Sequence, residues 1–177
     1  MKFQFERQFL ISGLVMFLLG LLAPIYSPYA MAQIGLLQAH LIGVLQGLVF
    51  FAFAWMWPLL SLPKFSKKVA TFSLYISLWA NWIGTFMVGV FGGGREQYIV
   101  NQDLVPGATG FWNVATLLFI SLSQFALLTV ILAIMGFLNC SWTITKTKLL
   151  NTFSLMIFVA ILALSLFQTA FPEYSNG

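Results

Sequence analysis

The sequence predicts an all-α integral membrane protein, a bundle of about five transmembrane helices, on three observations. Of its 177 residues, 60% are hydrophobic and 7% charged, with a mean hydropathy of +0.95. Soluble domains are not so poor in charge. The apolar residues gather in five continuous stretches, about Phe9–Tyr26, Leu36–Leu60, Val69–Phe91, Phe111–Leu138 and Leu149–Phe171. Each is near or above the roughly 20 residues that a helix needs to cross a bilayer core. The runs do not alternate between apolar and polar residues, which argues against membrane strands, because lipid does not tolerate an open sheet edge. The expectation is therefore one transmembrane domain over residues 1–177, with no soluble domain attached.

The first stretch also has a signal-peptide reading. It carries Lys2 and Arg7, an apolar run, and Ala30-Met31-Ala32 as a cleavage-like site. The run is longer than a usual signal core, so the first stretch is read as a span. The third holds the polar segment "SLWANWIGT", Ser77 to Thr85. The connections are short except for Gly92–Gly110, "GGGREQYIVNQDLVPGATG", whose glycines suit either simple turns or a binding lid. Tyr26, Tyr29, Tyr98, Trp112 and Tyr174 fall near one interface, and Trp55, Trp57 and Trp142 near the other, as aromatic belts do.

Charge orients the bundle. With five spans, Lys2, Arg7, Lys64, Lys67, Lys68, Lys146 and Lys148 share one side with Glu6. Arg95 lies on the other with Glu96, Asp103 and Glu173. That is seven of the eight basic residues on one side, which the positive-inside rule makes cytoplasmic. The expected setting is a bacterial inner membrane with a cytoplasmic N-terminus. The net charge of +4 is a topology signal and gives no nucleic-acid footprint, because the lysines lack an aromatic platform. Cys140 is the one cysteine, so no disulfide forms within the chain and no thiolate cluster is available.

The only histidine, His40, lies inside the second stretch, "LLQAHLIGVLQGLVFF". A polar group in hydrocarbon is costly unless satisfied. His40 can be glue, bonded to a neighbouring carbonyl, or a metal or haem ligand through its neutral imidazole. Gly43 and Gly47 follow at i+3 and i+7 and share its helix face. That small stripe suits close helix packing, and it also suits a flat slot for a porphyrin. One histidine cannot build a bis-histidine site, so a haem held here keeps one face of the iron open. Asn81, flanked by Trp79 and Trp82, is either an interhelical hydrogen-bonding group or an amide orienting a substrate between aromatic walls.

Taken together, "AHLIGVLQG" at Ala39–Gly47, "WP" at Trp57–Pro58 and "WANW" at Trp79–Trp82 resemble the hydroxylaminobenzene mutases. Those proteins have an A/S-H-x-x-G-x-x-N-G motif followed by a Y/W-A-N motif. The chain also resembles the related styrene oxide isomerases, including an N-terminal F-E-R like Phe5–Arg7. The likeness covers about residues 5–95. It implies a homotrimer that binds haem b through His40 in a membrane, with Gly43 and Gly47 beside the cofactor. It implies a rearrangement of a small aromatic substrate in which ferric iron acts as Lewis acid. Gln46 stands where the family has asparagine, and Asn81 matches the asparagine of the second motif; both are candidate catalytic residues, with Trp79 and Trp82 walling the substrate pocket. Styrene oxide isomerases carry an aspartate and a tyrosine where this chain has Ser77 and Thr85, which favours the mutase branch. The expected reaction is aryl hydroxylamine to aminophenol. Epoxide-to-aldehyde isomerisation is the alternative on the same iron. Outside catalysis, the alternatives are a haem-binding membrane protein and a structural bundle in which His40 is glue.

Overall fold

A computed structural model describes residues 4–97 and 102–139 of the chain, and all regular structure among them is helical. Helix α1 spans Gln4–Leu22, α2 Gln33–Met56, α3 Lys64–Phe91, α4 Phe111–Leu122 and α5 Phe125–Leu138. Four segments are long and apolar enough to cross a membrane: Phe5–Tyr29, Gln33–Leu59, Lys64–Phe91 and Phe111–Leu138. The fifth expected stretch, Leu149–Phe171, lies outside the described residues, as do Cys140, Trp142, Lys146 and Lys148.

Prolines and glycines set the helix ends. Pro24 lacks an N–H and ends the α-helical ladder of α1, and the chain continues as a 3-10 segment over Ala23–Tyr29. Pro58 does the same at the end of α2, where a short 3-10 turn spans Trp57–Leu59. Helix α3 starts after Pro63 and stops at Gly92, which adopts the left-handed conformation (φ 69°) and donates its N–H to the Val88 carbonyl. The fourth span is broken between α4 and α5 without proline or glycine. Ser123 donates its hydroxyl to the Ile120 carbonyl at 2.6 Å, and its N–H bonds the same carbonyl at 3.1 Å. A serine that bonds back to its own helix in this way competes with the ladder and bends it.

Helix α3 is central and packs on α2, α4 and α5, while α1 packs on α2. The core between α1, α2 and α3 is aromatic: Phe9, Phe50, Trp57 and Tyr75 meet through ring contacts of 5.1–6.4 Å. Polar pairs join the helices, one across this core and one between α3 and α5. Ser12 of α1 donates to the Tyr75 hydroxyl at 3.0 Å, and Ser73 of α3 bonds Thr129 of α5 at 2.7 Å. Such bonds are the expected glue where no water competes.

Within the Gly92–Gly110 segment, the described residues 92–97 and 102–110 are tied down at the ends of α2, α3 and α4. Val105 is fully buried against Ala32 and Val88. The Ala108 N–H reaches the Gly92 carbonyl at 2.8 Å. Asn113 of α4 accepts from the Gly94 N–H at 2.7 Å and donates to Glu96 at 3.1 Å. The turn reading of its glycines holds for Gly92, Gly94, Gly107 and Gly110, all at positive φ.

Candidate active site

The site is built where α1 crosses α2. Two glycines of α1 meet two of α2 in antiparallel order. A Cβ on Gly43 would stand 2.5 Å from the Gly20 Cα, and one on Gly47 would stand 2.9 Å from the Gly13 carbonyl oxygen. Carbon atoms in contact sit roughly 3.5–4.0 Å apart, so only glycine lets these backbones lie together. Of the two uses the small stripe admits, close helix packing is the one displayed: α1 fills the face above Gly43 and Gly47.

This contact brings the α1 backbone to His40. The half-buried imidazole places Nδ1 2.9 Å from the Gly20 carbonyl oxygen. A carbonyl oxygen can only accept, so Nδ1 carries the proton. A neutral ring then presents Nε2 as a bare lone pair, and Nε2 bonds no described residue. An imidazole with one nitrogen fixed by a carbonyl and the other free is the arrangement metal-binding histidines use.

The donor set also bears on what could bind. Among the described residues no group of three His, Cys, Asp or Glu gathers as a bare ion would need. A porphyrin brings four nitrogens of its own and asks the protein for one axial donor, which His40 fits.

Trp82 of α3 is tied to the next backbone group. Its indole N–H donates to the Ala39 carbonyl at 3.0 Å, and its ring stacks on Phe86 at 5.2 Å. The nearest edge of that indole would be 2.8 Å from a Cβ on Gly43. Trp82 is therefore a clamp between α2 and α3 as well as a wall, while Trp79 is half-buried at the edge of the core.

Two amides have unmet capacity. Gln46 is buried, and its Oε1 has no hydrogen-bond partner among the described residues. It sits along α2 between Ala39, which holds Trp82, and Phe50, which packs on Tyr75. Leaving such an acceptor unpaired costs about 1–3 kcal/mol, and a buried orphan of this kind calls for an occupant. Asn81 is half-buried; its backbone carbonyl accepts from Thr85, and its carboxamide bonds no described residue. No hydrogen bond joins His40, Gln46 and Asn81 to one another.

Ser77 and Thr85 stand on the same helix with their hydroxyl protons spent. Ser77 donates to the Leu74 carbonyl at 3.0 Å, and Thr85 to the Asn81 carbonyl at 2.8 Å. Sequence reasoning missed Gly20 and the clamping role of Trp82. The spacing of Gly13 and Gly20, seven apart on one face of α1, is the signal that could have found the first.

Comparison with known proteins gives the family. The family model described as styrene oxide isomerase matches residues 5–138. The chain is 34% identical over 131 residues to hydroxylaminobenzene mutase HabB of Ectopseudomonas oleovorans, covering 73% of this chain and 79% of that protein. It is 35% identical over 86 residues to hydroxylaminobenzene mutase HabA of the same organism, covering 48% and 63%. No solved structure matches.

Proposed function

The chain belongs to the styrene oxide isomerase family and is an isomerase, and from that premise we propose that it is a haem b-dependent membrane enzyme converting an aryl hydroxylamine to an aminophenol. The protein would work as the homotrimer its resemblance implies. The observation that carries the reading is His40, with Nδ1 engaged by Gly20 and Nε2 left as a lone donor. Family membership sets aside the readings without catalysis.

Haem b held at His40 Nε2 would supply a Lewis acid for the substrate's hydroxyl oxygen, needing no reductant or oxygen. The rest falls to the chain. Oxygen leaves nitrogen for a ring carbon, the ring proton is displaced, and nitrogen takes up a proton, so composition is unchanged. Gln46 Oε1 is a buried acceptor suited to the N–H or O–H of a hydroxylamine. The Asn81 carboxamide supplies both donor and acceptor. Trp79 and the α3 face around it give an aromatic ring apolar surface. Neither amide can carry a proton at neutral pH, so their work is to hold and orient. Ser77 and Thr85, where styrene oxide isomerases carry an aspartate and a tyrosine, favour the hydroxylamine over an epoxide, and both hydroxyls are engaged by their own helix.

The test is an anaerobic assay of the haem-loaded protein, oxidised and dithionite-reduced, with an aryl hydroxylamine and an aryl epoxide. Turnover of the hydroxylamine without NADH or oxygen is expected, with a strong change on reduction. A requirement for oxygen or an electron donor sinks the proposal, and turnover of the epoxide alone transfers it to the alternative. In the same assay Asn81→Ala should keep its haem while turnover falls roughly ten- to a hundredfold, the effect of losing one hydrogen bond of about 1.5–3 kcal/mol to a polarised group. Loss of haem as well would make Asn81 structural.

The proposed setting is the inner membrane of a bacterium with the N-terminus inside. Lys64, Lys67 and Lys68 at the start of α3, and Arg95 beyond its other end, support that orientation. With five spans, a reporter fused after Gly177 should be active outside the cytoplasm. Activity inside would remove either the fifth span or the orientation.

A further inference from the structure

The bond that fixes His40 depends on a carbonyl that an ordinary helix would have used. In an α-helix the carbonyl of residue 20 accepts from the N–H of residue 24. Residue 24 here is proline, which has no N–H to give. That carbonyl is Gly20, the one 2.9 Å from His40 Nδ1. The residue bearing it is also the glycine that lets α2 approach: a Cβ on Gly20 would lie 2.7 Å from the Val44 nitrogen. One short stretch thus supplies two conditions at once: a close backbone, and a carbonyl without its ladder donor.

We propose that Gly20 and Pro24 form a built acceptor for His40, positioning residues that select the Nδ1–H tautomer and so hold Nε2 bare for a ligand. Neither residue touches the reacting atoms. Their action on catalysis rests on the haem reading above, because the tautomer sets which nitrogen can bind iron, and the carbonyl makes the ligating nitrogen more electron-rich. The tautomer itself needs no haem. Because His40 is the only histidine among the 177 residues, histidine-labelled protein reports this ring alone.

The experiment uses the full chain in lipid nanodiscs, stripped of haem, with 15N-labelled histidine. The two ring nitrogens of a neutral imidazole separate widely in 15N shift according to which bears the proton. Wild type should show Nδ1 protonated and Nε2 bare. Pro24→Ala and the bulkier Pro24→Val both return an N–H to compete for the Gly20 carbonyl. In either variant the Nδ1–H to Nε2–H ratio should fall roughly two- to tenfold, the range spanned by one ordinary neutral hydrogen bond. Pro28→Ala removes a proline from the same 3-10 segment without adding a donor at Gly20, and it should leave the ratio as in wild type. A wild-type ring protonated mainly on Nε2 overturns the proposal. So does an unchanged ratio in the folded Pro24 variants, or an equal fall in Pro28→Ala.

A second readout follows in haem-loaded protein. The iron–histidine stretching frequency of the ferrous form should drop in the Pro24 variants and hold in Pro28→Ala. If the tautomer shifts as expected while the protein takes up no haem, the acceptor stands and the haem reading falls. If haem binds normally and the tautomer does not shift, the acceptor falls and the haem reading stands.

Discussion

If His40 holds a haem as proposed, His40→Ala is expected to remove haem and turnover together. The imidazole is the only histidine ring in the chain, and its Nε2, which bonds no described residue, is the axial donor the site would offer a haem. Removing it leaves no neighbouring nitrogen to substitute, because Trp82 can only donate and Gln46 and Asn81 are amides. Activity should fall at least roughly a thousandfold, about 4 kcal/mol in barrier terms. The fold should survive. The α1–α2 contact is made by glycines rather than by the ring, and one neutral hydrogen bond to the Gly20 carbonyl is worth about 0.5–1.5 kcal/mol. The Soret band should therefore vanish while the helical circular dichroism persists. Adding imidazole to the variant should restore part of the band, since the vacated space faces a carbonyl still poised for an N–H. A variant that keeps its Soret band and a tenth of its turnover would remove His40 from the site.

The composition of the chain made the class of fold legible, because a run of apolar residues in lipid has few choices besides a helix. The first three spans and the His40–Gly43–Gly47 stripe could be read directly. The relation of that stripe to α1 could not. A glycine face shows that something comes close without saying whether it is a helix or a flat cofactor. The break at Ser123 was hidden for a different reason. It arises from a serine bonding to its own helix, which serine does in straight helices too, and no proline or glycine marks it. From the sequence Trp82 reads as a wall because it flanks Asn81. Its role as a clamp depends on an N–H finding the Ala39 carbonyl on another helix, a register that only packing decides. Gln46 shows the same limit from the other side. The resemblance singles it out, at the asparagine position of the motif, but that its Oε1 is buried without a partner among the described residues follows from the tertiary surroundings alone.

Gly43→Leu should be as damaging as loss of the ligand, and through the fold rather than the chemistry. The new Cβ would stand 2.5 Å from the Gly20 Cα and 2.8 Å from Trp82 Nε1, against backbone on one side and a buried ring on the other. Contact distances of roughly 3.5–4.0 Å require α1 to withdraw by about an ångström, or Trp82 to leave the Ala39 carbonyl, or both. Overpacking of this kind costs about 1–3 kcal/mol. The Gly20–His40 and Trp82–Ala39 bonds would go with it, at about 0.5–1.5 kcal/mol each. The total, on the order of 2–6 kcal/mol, is a large part of what holds a typical domain together at about 5–15 kcal/mol. Gly136→Ala is the control. Its Cβ would meet Leu62 Cγ at 3.0 Å and Leu60 Cδ2 at 3.2 Å, parts of leucine side chains that can give way. Thermal unfolding in detergent, followed by circular dichroism, should show Gly43→Leu melting far below wild type or failing to purify folded. Gly136→Ala should stay within a few degrees of wild type. If Gly43→Leu melts like wild type and still shows the Nδ1–H tautomer at His40, then α1 does not lie on α2 through these glycines, and the acceptor at Gly20 has another origin.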